Sequence, residues 1–405
     1  MKVVTVNCGS SSIKYGVYSA DDCALVASGL LEKVGTAESL LRQKRLTKEG
    51  TFETREISGQ VVDHWKGFDF IMKTNADDRI IKDDSELFGI GHRVVHGGEF
   101  FSKPAIIDDG VIAAIRNLIP LAPLHNPHNL LGIEVARKRS PDVPQVAVFD
   151  TAFHQTLPPH SFHYALPYEF YTEHSVRRYG FHGTSHFYVA KEAAKHLNKP
   201  LEKVSLITLH LGNGASAAAI QNGKCIDTSM GLTPLEGLIM GTRCGDIDPA
   251  VHFYLMRQTG MSADEIEKLL NSQSGLKGIC GMNDMRQIQQ KAEAGDERAM
   301  LALDMFCYRV RKYIGAYRAV INRTDAIVFT GGIGENSAAV RERTCSGLDN
   351  LGVLLDLKKN KAVSGRISEI QQEGAEIKVL VTATDEELEI ARQTIETIRT
   401  IKRTA

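Results

Sequence analysis

Two stretches of the sequence, one near its start and one near its middle, repeat the same order of strand and turn signals. In each stretch, two apolar strand segments flank a turn of small polar residues, and a further turn leads into a third strand segment. The segments are residues 3–6, 13–18 and the chain from Ala24 in the first stretch, and residues 206–209, 217–220 and 225–226 in the second. An order that recurs in both halves of a 405-residue chain predicts a duplicated fold, with one copy in each half.

Helical and strand signals alternate along the rest of the chain. Apolar residues at helical spacing predict helices, and short apolar runs predict buried strands. The predicted helices are 111–118, 130–138, 185–196, 262–270, 296–322 and 385–401, and the predicted strands are 145–149 and 326–330. This alternation predicts an α/β protein of two domains, 1–150 and 151–383, with a C-terminal helix at 384–405 that packs back against the first domain. The charged segment 32–59 is expected to be an irregular surface excursion.

The balanced charge of the chain limits the partners that it can bind. The 48 lysines and arginines against 49 aspartates and glutamates leave a formal charge of -1, which argues against general binding to nucleic acid and against membrane attachment through basic residues. Seven scattered cysteines without a CxxC pair argue against a disulfide framework or a zinc ribbon and favour a reducing cytoplasm. We therefore expect a cytoplasmic protein that holds anions through a few placed groups.

The glycine-rich turns are the candidate phosphate sites, but two common phosphate motifs do not fit them. A P-loop needs a glycine upstream of Gly-Lys, and Gly223-Lys224 lacks it. Residues 212–217 match GxGxxA, but the dinucleotide-binding fold requires a helix next, and the sequence predicts a hairpin. The turns at 8–12, 212–216 and 331–334 remain, and their backbone N–H groups are suited to binding phosphates.

Nine ordered motifs give the chain a recognisable family resemblance. They are NCGSSS (7–12), HRVVHGG (92–98), PLHNPHNL (123–130), FDTAFH (149–154), RYGFHGTSH (178–186), HLGNGAS (210–216), MGTRCGDIDP (240–249), FTGGIGEN (329–336) and TDEELEIAR (384–392). Over nearly its whole length the chain resembles the acetate kinase family, within the superfamily of acetate and sugar kinases, heat-shock ATPases and actin. The resemblance implies a duplicated ribonuclease H-like (actin-like ATPase) fold, ATP in a cleft between two domains, and a homodimer through the second domain. Leu232 and Cys244 stand where phenylalanine and serine are more usual.

The resemblance also implies a reaction and roles for individual residues. The reaction is Mg²⁺-dependent, direct in-line phosphoryl transfer from ATP to acetate, giving acetyl phosphate and ADP, with Mn²⁺ as a possible substitute for Mg²⁺. Arg93 would bind the substrate carboxylate, with Val95 and His125 in the acyl pocket, while Arg243 and His182 would stabilise the transferring phosphoryl group. The implied ATP contacts are Ser10, Ser12, Lys14, His210, Leu211, Gly212, Asn213, Gly214, Asp284, Met285, Arg286, Gly332, Ile333, Gly334, Glu335 and Asn336, and the implied metal contacts are Asn7 and Glu386.

The chemistry of a carboxylate substrate bears on Asp150, to which the family assigns a catalytic role in acid–base chemistry or in orienting the metal. A carboxylic acid with a pKa of roughly 4 is already an anion at neutral pH, so a general base is not needed. Our hypothesis is that Asp150 organises Mg²⁺ and Arg93. Two other functions are weighed against an acetate kinase: a propionate kinase of the same family, and an actin-like or heat-shock-like ATPase.

Overall fold

The computed structural model describes residues 1–404, and Ala405, the last residue of the predicted C-terminal helix, lies outside the described residues. The chain forms two compact units. Unit 1 contains Met1–Ala152 and the C-terminal segment from Asp385, and unit 2 contains Phe153–Thr384. No helix of residues 1–404 is both long enough and apolar enough to cross a membrane.

Unit 1 is built on an eight-stranded sheet in the order β5-β4-β3-β2-β1-β6-β8-β7. Strands β1, β6 and β8 are parallel neighbours, and the other neighbouring pairs are antiparallel. The strands are β1 (Lys2–Cys8), β2 (Ser12–Ser19), β3 (Leu25–Glu32), β4 (Thr36–Leu46), β5 (Phe52–Val61), β6 (Leu87–Val94), β7 (Ala105–Ile106) and β8 (Gln145–Phe149). The helices are α1 (His64–Asp77), α2 (Asp109–Asn117), α3 (Asn126–Arg139) and, at the C-terminal end, α15 (Glu386–Thr404).

The segment 32–59, for which the sequence predicts an irregular excursion, instead forms most of the two long strands β4 and β5. On one face of this hairpin, charges pair across strands, since Arg42 contacts both Glu32 and Glu56. On the other face, Leu41 and Gln43 are buried. The prediction was wrong because pairing between strands neutralises charges that look unsuited to a strand when each segment is taken alone.

Helix α15 packs across strands β1, β6 and β8 of unit 1. Two glycines of β6 make room for it, because a Cβ at Gly89 or Gly91 would collide with Ile398 or Thr394 of the helix. Ile390 and Ile398 are buried against Val146 and Val148 of β8. The apolar residues at helical spacing in the C-terminal segment therefore form one buried face.

Unit 2 is built on a six-stranded sheet in the order β11-β10-β9-β12-β14-β13. Its strands are β9 (Leu206–Leu211), β10 (Ala215–Gln221), β11 (Lys224–Thr228), β12 (Ala326–Thr330), β13 (Ile367–Glu369) and β14 (Lys378–Thr382). Its helices are α4 (Pro159–Phe162), α5 (Glu169–His174), α6 (Gly183–His196), α7 (Ala250–Thr259), α8 (Ala263–Ser272), α9 (Gly275–Cys280), α10 (Met285–Glu293), α11 (Glu297–Ile321), α12 (Gly331–Asn336), α13 (Ala338–Cys345) and α14 (Leu357–Lys361).

The two sheets share one topology, which confirms the predicted duplication. The order β3-β2-β1-β6-β8-β7 in unit 1 corresponds to β11-β10-β9-β12-β14-β13 in unit 2. The directions also correspond, with three parallel strands beside an antiparallel hairpin and an antiparallel strand at the far edge. In each unit, the carboxyl ends of the parallel strands meet at one edge of the sheet, where ligands bind in α/β proteins.

The predicted hairpin, on which the two phosphate-motif exclusions rest, is confirmed. Residues 212–217 lead from β9 into the antiparallel strand β10 and not into a helix. Asn222 and Gly223 both have positive φ, at 50° and 74°, as the predicted hairpin turn between β10 and β11 requires. The third glycine turn differs from the prediction, because residues 331–336 form the short helix α12 directly after β12.

Candidate functional site

In unit 1, Arg93 and Asp150 meet at the carboxyl ends of two neighbouring parallel strands. Arg93 lies near the end of β6, and Asp150 directly follows β8. The Arg93 guanidinium donates through Nε to Asp150 Oδ2 at 3.0 Å and through Nη2 to the same oxygen at 2.6 Å. Asp150 is 1% exposed, so this is a buried, charge-assisted pair. Burial alone would lower the pKa of Arg93, but the carboxylates of Asp150 and Glu386 raise it above its usual value.

The acidic start of α15 lies beside this pair. Burial of the Glu386 carboxyl raises its pKa above the usual range, and Asp150 and Glu387 add to the increase while Arg93 opposes it. Glu387 forms an ion pair with Lys14, at 2.5 Å between Oε1 and Nζ. Lys14 in turn lies opposite Asn7 in the antiparallel pairing of β1 and β2. Unit 1 therefore brings together most of its residues that are predicted to contact the carboxylate substrate or the metal.

The residues of unit 1 that the sequence predicts as phosphate and acyl contacts surround the same strand ends. Ser10 is exposed and Ser12 half-buried in the β1–β2 turn, where the Gly9 N–H donates to Ser12 O at 2.9 Å. Val95 is buried directly after β6, and His125 is half-buried at the start of α3.

A positioning residue that the sequence analysis did not single out is Asn129 of α3. Its Oδ1 accepts from the Val95 N–H at 3.0 Å, and its Nδ2 donates to Cys8 O at 3.0 Å. Asn129 thus ties the end of β1, next to Asn7, to the segment that carries Val95. The PLHNPHNL motif contains this residue, but its role depends on a contact that the sequence alone does not reveal.

The donor set of unit 1 suits a divalent cation that arrives with a nucleotide. Within residues 1–404, no group of three His, Cys, Asp or Glu side chains is placed to hold a metal ion. Mg²⁺ commonly takes one or two protein ligands and completes its shell with phosphate oxygens and water. Asn7 and Glu386 provide an amide and a carboxylate oxygen, so the residues present fit such a shared site.

In unit 2, Arg243 and His182 face one small space in front of the β9–β10 turn. A Cβ built on Gly214 would lie 3.0 Å from Arg243 Nη2 and 3.4 Å from His182 Nε2. Arg243 lies in the loop before α7, and its Nη1 donates to Pro234 O at 2.6 Å. Burial lowers the pKa of the Arg243 guanidinium. Unlike Arg93, this half-buried cation has a carbonyl rather than a carboxylate as its hydrogen-bond partner within residues 1–404.

The β9–β10 turn itself is tightly held. The Gly212 N–H donates to Gly214 O at 3.0 Å, and Asn213 O accepts from the Gly241 N–H at 2.9 Å. Gly241 is needed there, since a side chain at that position would collide with the Asn213 amide. His210 stacks on His182, with 4.4 Å between ring centroids, and Leu211 is buried.

The remaining predicted nucleotide residues lie on two short segments of unit 2. Asp284 caps α10 by accepting from the Arg286 N–H at 2.9 Å, and it also forms an ion pair with the exposed Arg286 side chain. Met285 is buried. On α12, Gly332 and Asn336 are exposed, Ile333 is half-buried and Gly334 is buried. Glu335 Oε1 accepts from the Gly331 and Thr384 N–H groups, at 3.0 and 3.1 Å, so this carboxylate braces the backbone.

Comparisons with known proteins agree with this geometry. Comparison with protein-family models matches residues 2–392 to the acetokinase family. The chain belongs to the acetokinase family. It is 60% identical to the acetate kinase of Syntrophobacter fumaroxidans, over 98% of this chain and 97% of that one.

Two solved structures of this family have the same fold as the chain. The crystal structure of Porphyromonas gingivalis acetate kinase superposes with a TM-score of 0.91 at 44% identity, covering 98% of this chain and 99% of that one. A propionate kinase from Francisella tularensis superposes with a TM-score of 0.90 at 43% identity, covering 97% and 98%. The predicted family and its duplicated actin-like ATPase fold are therefore confirmed.

For this member of the acetokinase family, the Gly214→Ala variant is expected to lower kcat by about 10²-fold, because the added methyl group displaces Arg243 and His182. Gly214 does not have a positive φ, so the strain comes from these side chains and not from the backbone. The measurement is kcat for phosphoryl transfer together with the unfolding midpoint. The matched control is Gly315→Ala in α11, where a Cβ would meet nothing within 4 Å. If Gly214→Ala kept the wild-type kcat, the shared space would not be part of the reaction site.

Proposed function

We propose that this acetokinase-family protein catalyses reversible, Mg²⁺-dependent phosphoryl transfer between ATP and acetate. The observation that carries the proposal is the position of Arg243, a half-buried arginine whose hydrogen-bond partner is a carbonyl and not a carboxylate, beside His182 in front of the glycine turn. A buried cation without a carboxylate is costly unless an anion occupies the site for part of the cycle. A transferring phosphoryl group, with negative charge on its oxygens, is such an anion.

In unit 1, Arg93 would bind the carboxylate of acetate. Asp150 uses the Nε hydrogen and one Nη2 hydrogen, so the Nη1 hydrogens and the second Nη2 hydrogen are the donors that remain for substrate. Asp150 fixes the plane of the guanidinium and keeps it protonated. Since acetate is an anion at neutral pH, no group has to remove a proton from it, and Asp150 acts as an orienting residue rather than a general base.

In unit 2, Arg243 and His182 would donate hydrogen bonds to oxygens of the phosphoryl group during its in-line transfer from ADP to the carboxylate. Donors held in place before the reaction stabilise the transition state without reorganisation. The β9–β10 turn and α12 would hold the nucleotide phosphates and nucleoside through backbone N–H groups. Mg²⁺, held by Asn7, Glu386 and phosphate oxygens, would supply additional neutralisation of negative charge; Mn²⁺ fits the same oxygen ligands.

The acyl specificity follows from Val95, which is buried and held by Asn129. A valine leaves less room than an alanine for the methylene that distinguishes propionate from acetate. Because one methylene is worth roughly 1–3 kcal/mol of discrimination, propionate is expected to be a poorer substrate that is still used. The propionate kinase from Francisella tularensis makes propionate the specific alternative.

The Val95→Ala variant is accordingly expected to raise the propionate-to-acetate ratio of kcat/KM about 10-fold or more. Val95→Ile is the opposite change and should lower that ratio. Both ratios are measured by trapping the acyl phosphate as its hydroxamate. A ratio unchanged in both variants would place the methyl end of the substrate away from residue 95.

The test of the proposed function is a substrate panel for the wild-type protein. ATP-dependent acyl phosphate formation is measured with acetate, propionate and butyrate, and we expect the highest kcat/KM with acetate. Preference for propionate would retain the reaction and overturn the acyl specificity. ATP hydrolysis without any acyl phosphate would favour an actin-like or heat-shock-like ATPase.

The assembly and location of the protein are part of the same proposal. Helices α7 and α11 of unit 2 expose large apolar side chains, including Phe253, Tyr254, Leu301 and Tyr308. We propose that this face is buried in a homodimer, as the family resemblance implies, and that the enzyme acts in the cytoplasm. Sedimentation of the wild-type protein and of a Tyr308→Glu variant tests the dimer, because a charge at this interface should produce monomers.

A further inference from the structure

A chain of hydrogen bonds leads from the interior of unit 2 to His182. Thr208 Oγ1 lies 2.7 Å from His186 Nδ1, His186 Nε2 lies 2.7 Å from Ser216 Oγ, and Ser216 Oγ lies 2.9 Å from His182 Nδ1. Thr208 and Ser216 are on the neighbouring strands β9 and β10, and the two histidines are one turn apart at the start of α6. Thr208, His186 and Ser216 are each 0% exposed.

The hydrogens in this chain can be counted, because each bond needs one. A neutral imidazole has one N–H donor and one acceptor nitrogen, and a hydroxyl has one donor hydrogen. Burial holds the pKa of His186 well below its usual value, so this ring is neutral. The three hydrogen bonds can therefore all point in one of only two directions, with each group donating towards His182 or each group donating towards Thr208.

The buried Thr208 hydroxyl decides between these directions. If His186 donated to Thr208, the threonine hydrogen would need another acceptor, and within residues 1–404 its side chain bonds to His186. A buried donor left without a partner is energetically costly. The favoured direction is that Thr208 donates to His186 Nδ1, His186 Nε2 donates to Ser216, and Ser216 donates to His182 Nδ1.

The geometry points to a tautomer-setting relay: we propose that Thr208, His186 and Ser216 hold His182 as the neutral imidazole whose hydrogen is on Nε2. This inference rests on the proposed function for the role of His182. Nε2 is the atom that shares the space in front of Gly214 with Arg243. His182 thus offers the phosphoryl oxygens an N–H donor, while the other ring tautomer would present a lone pair to them.

The surroundings of His182 also oppose a second proton on its ring. With His182 doubly protonated, its Nδ1–H would donate to Ser216, and a buried hydrogen would have no acceptor: that of Ser216 or, with the hydrogen-bond direction reversed, that of Thr208. Arg243 lies on one side of the ring and His210 is stacked on it, and His186 and His154 form the next layer of titratable groups. None of these four groups is an anion, so none of them would stabilise a positive charge on His182.

The test is nuclear magnetic resonance of the full-length, nucleotide-free protein labelled with ¹⁵N-histidine, with His182→Gln used to assign the signals. We expect His182 to be neutral with its hydrogen on Nε2 at pH 7 and to remain so below its ordinary pKa of about 6.5. A hydrogen on Nδ1, or an imidazolium at pH 7, would overturn the inference. Because this readout does not need turnover, it is independent of the acyl phosphate assay that tests the proposed function.

Variants distinguish a specific effect of the relay on the His182 tautomer from a general loss of stability. Ser216→Ala is expected to give a mixture of His182 tautomers and a higher His182 pKa, with a new acid limb in the pH profile of kcat, and Ser216→Thr should restore the wild-type spectrum. The matched control is Ser229→Ala, which removes another buried hydroxyl, one that accepts from the Ala217 N–H. If Ser216→Ala left the tautomer unchanged, or if Ser229→Ala shifted it equally, the assignment of Ser216 would be wrong.

Discussion

Replacement of Arg243 by alanine is expected to reduce kcat for acetyl phosphate formation by about 10³-fold or more, with little change in KM for ATP. The reason is that Arg243 is a half-buried guanidinium whose hydrogen-bond partner is the Pro234 carbonyl and not a carboxylate. Its charge is therefore available to the phosphoryl oxygens, where the need is greatest in the transition state. Initial rates from the hydroxamate assay give the two constants.

Two controls separate this role from a structural one. Arg243→Lys keeps the charge but loses the planar fork, so it should recover only part of the activity. Arg343→Ala removes an exposed arginine of unit 2 that pairs with Asp304, and it should retain the wild-type kcat. Addition of guanidinium to Arg243→Ala should restore part of the rate. Equal losses in Arg243→Ala and Arg343→Ala would contradict the account.

Replacement of Arg93 by alanine is expected to affect both stability and substrate binding. It leaves the Asp150 carboxylate, which is 1% exposed, without its guanidinium partner. Removal of one partner of a buried ion pair costs about 3–5 kcal/mol in the free energy of unfolding, which is measured in urea at pH 7. In the same variant, KM for acetate should rise at least about 10-fold while KM for ATP stays near its wild-type value, because a charged hydrogen bond to the carboxylate is lost.

The double variant Arg93→Ala/Asp150→Ala gives the matched comparison. It removes both charges, so its unfolding free energy should exceed that of Arg93→Ala alone, although activity stays low. Asp150→Asn tests the orienting role separately: we expect a changed dependence on Mg²⁺ concentration. An unchanged Mg²⁺ dependence, with activity lost only at low pH, would contradict this role.

Local patterns were sufficient to predict the duplicated sheets. Strand alternation and turn chemistry act over a few residues, and they predicted β1–β3 and β9–β11 before any pairing was known. The hairpin of β4 and β5 was missed because its charges are compensated between strands, as with Arg42 and Glu56. Helix α12 was missed because Gly331–Gly334 has the composition of a turn, and its helical form depends on packing after β12.

In the candidate site as well, local sequence motifs identified some of the residues, while the roles of others depend on contacts between distant parts of the sequence. Motifs identified Arg93, Asp150, His182 and Arg243 as candidates. The structure brings Arg93 and Asp150 into contact, and it places His182 and Arg243 around one space. The residues that hold them could not be predicted in this way. Asn129, for example, acts by bonding to two strand ends that are distant in sequence, so its contribution depends on the register of the folded unit.

The stoichiometry of ATP use tests most directly whether the protein transfers the phosphoryl group of ATP to acetate. Purified wild-type protein is incubated with Mg²⁺ and ATP, with and without acetate, and ADP, inorganic phosphate and acetyl phosphate are measured in the same reaction. For phosphoryl transfer to acetate, we expect ADP and acetyl phosphate to form in equal amounts. Both products should depend on acetate, and inorganic phosphate should stay at background. ADP and inorganic phosphate formed equally with and without acetate, and no acetyl phosphate, would contradict this transfer.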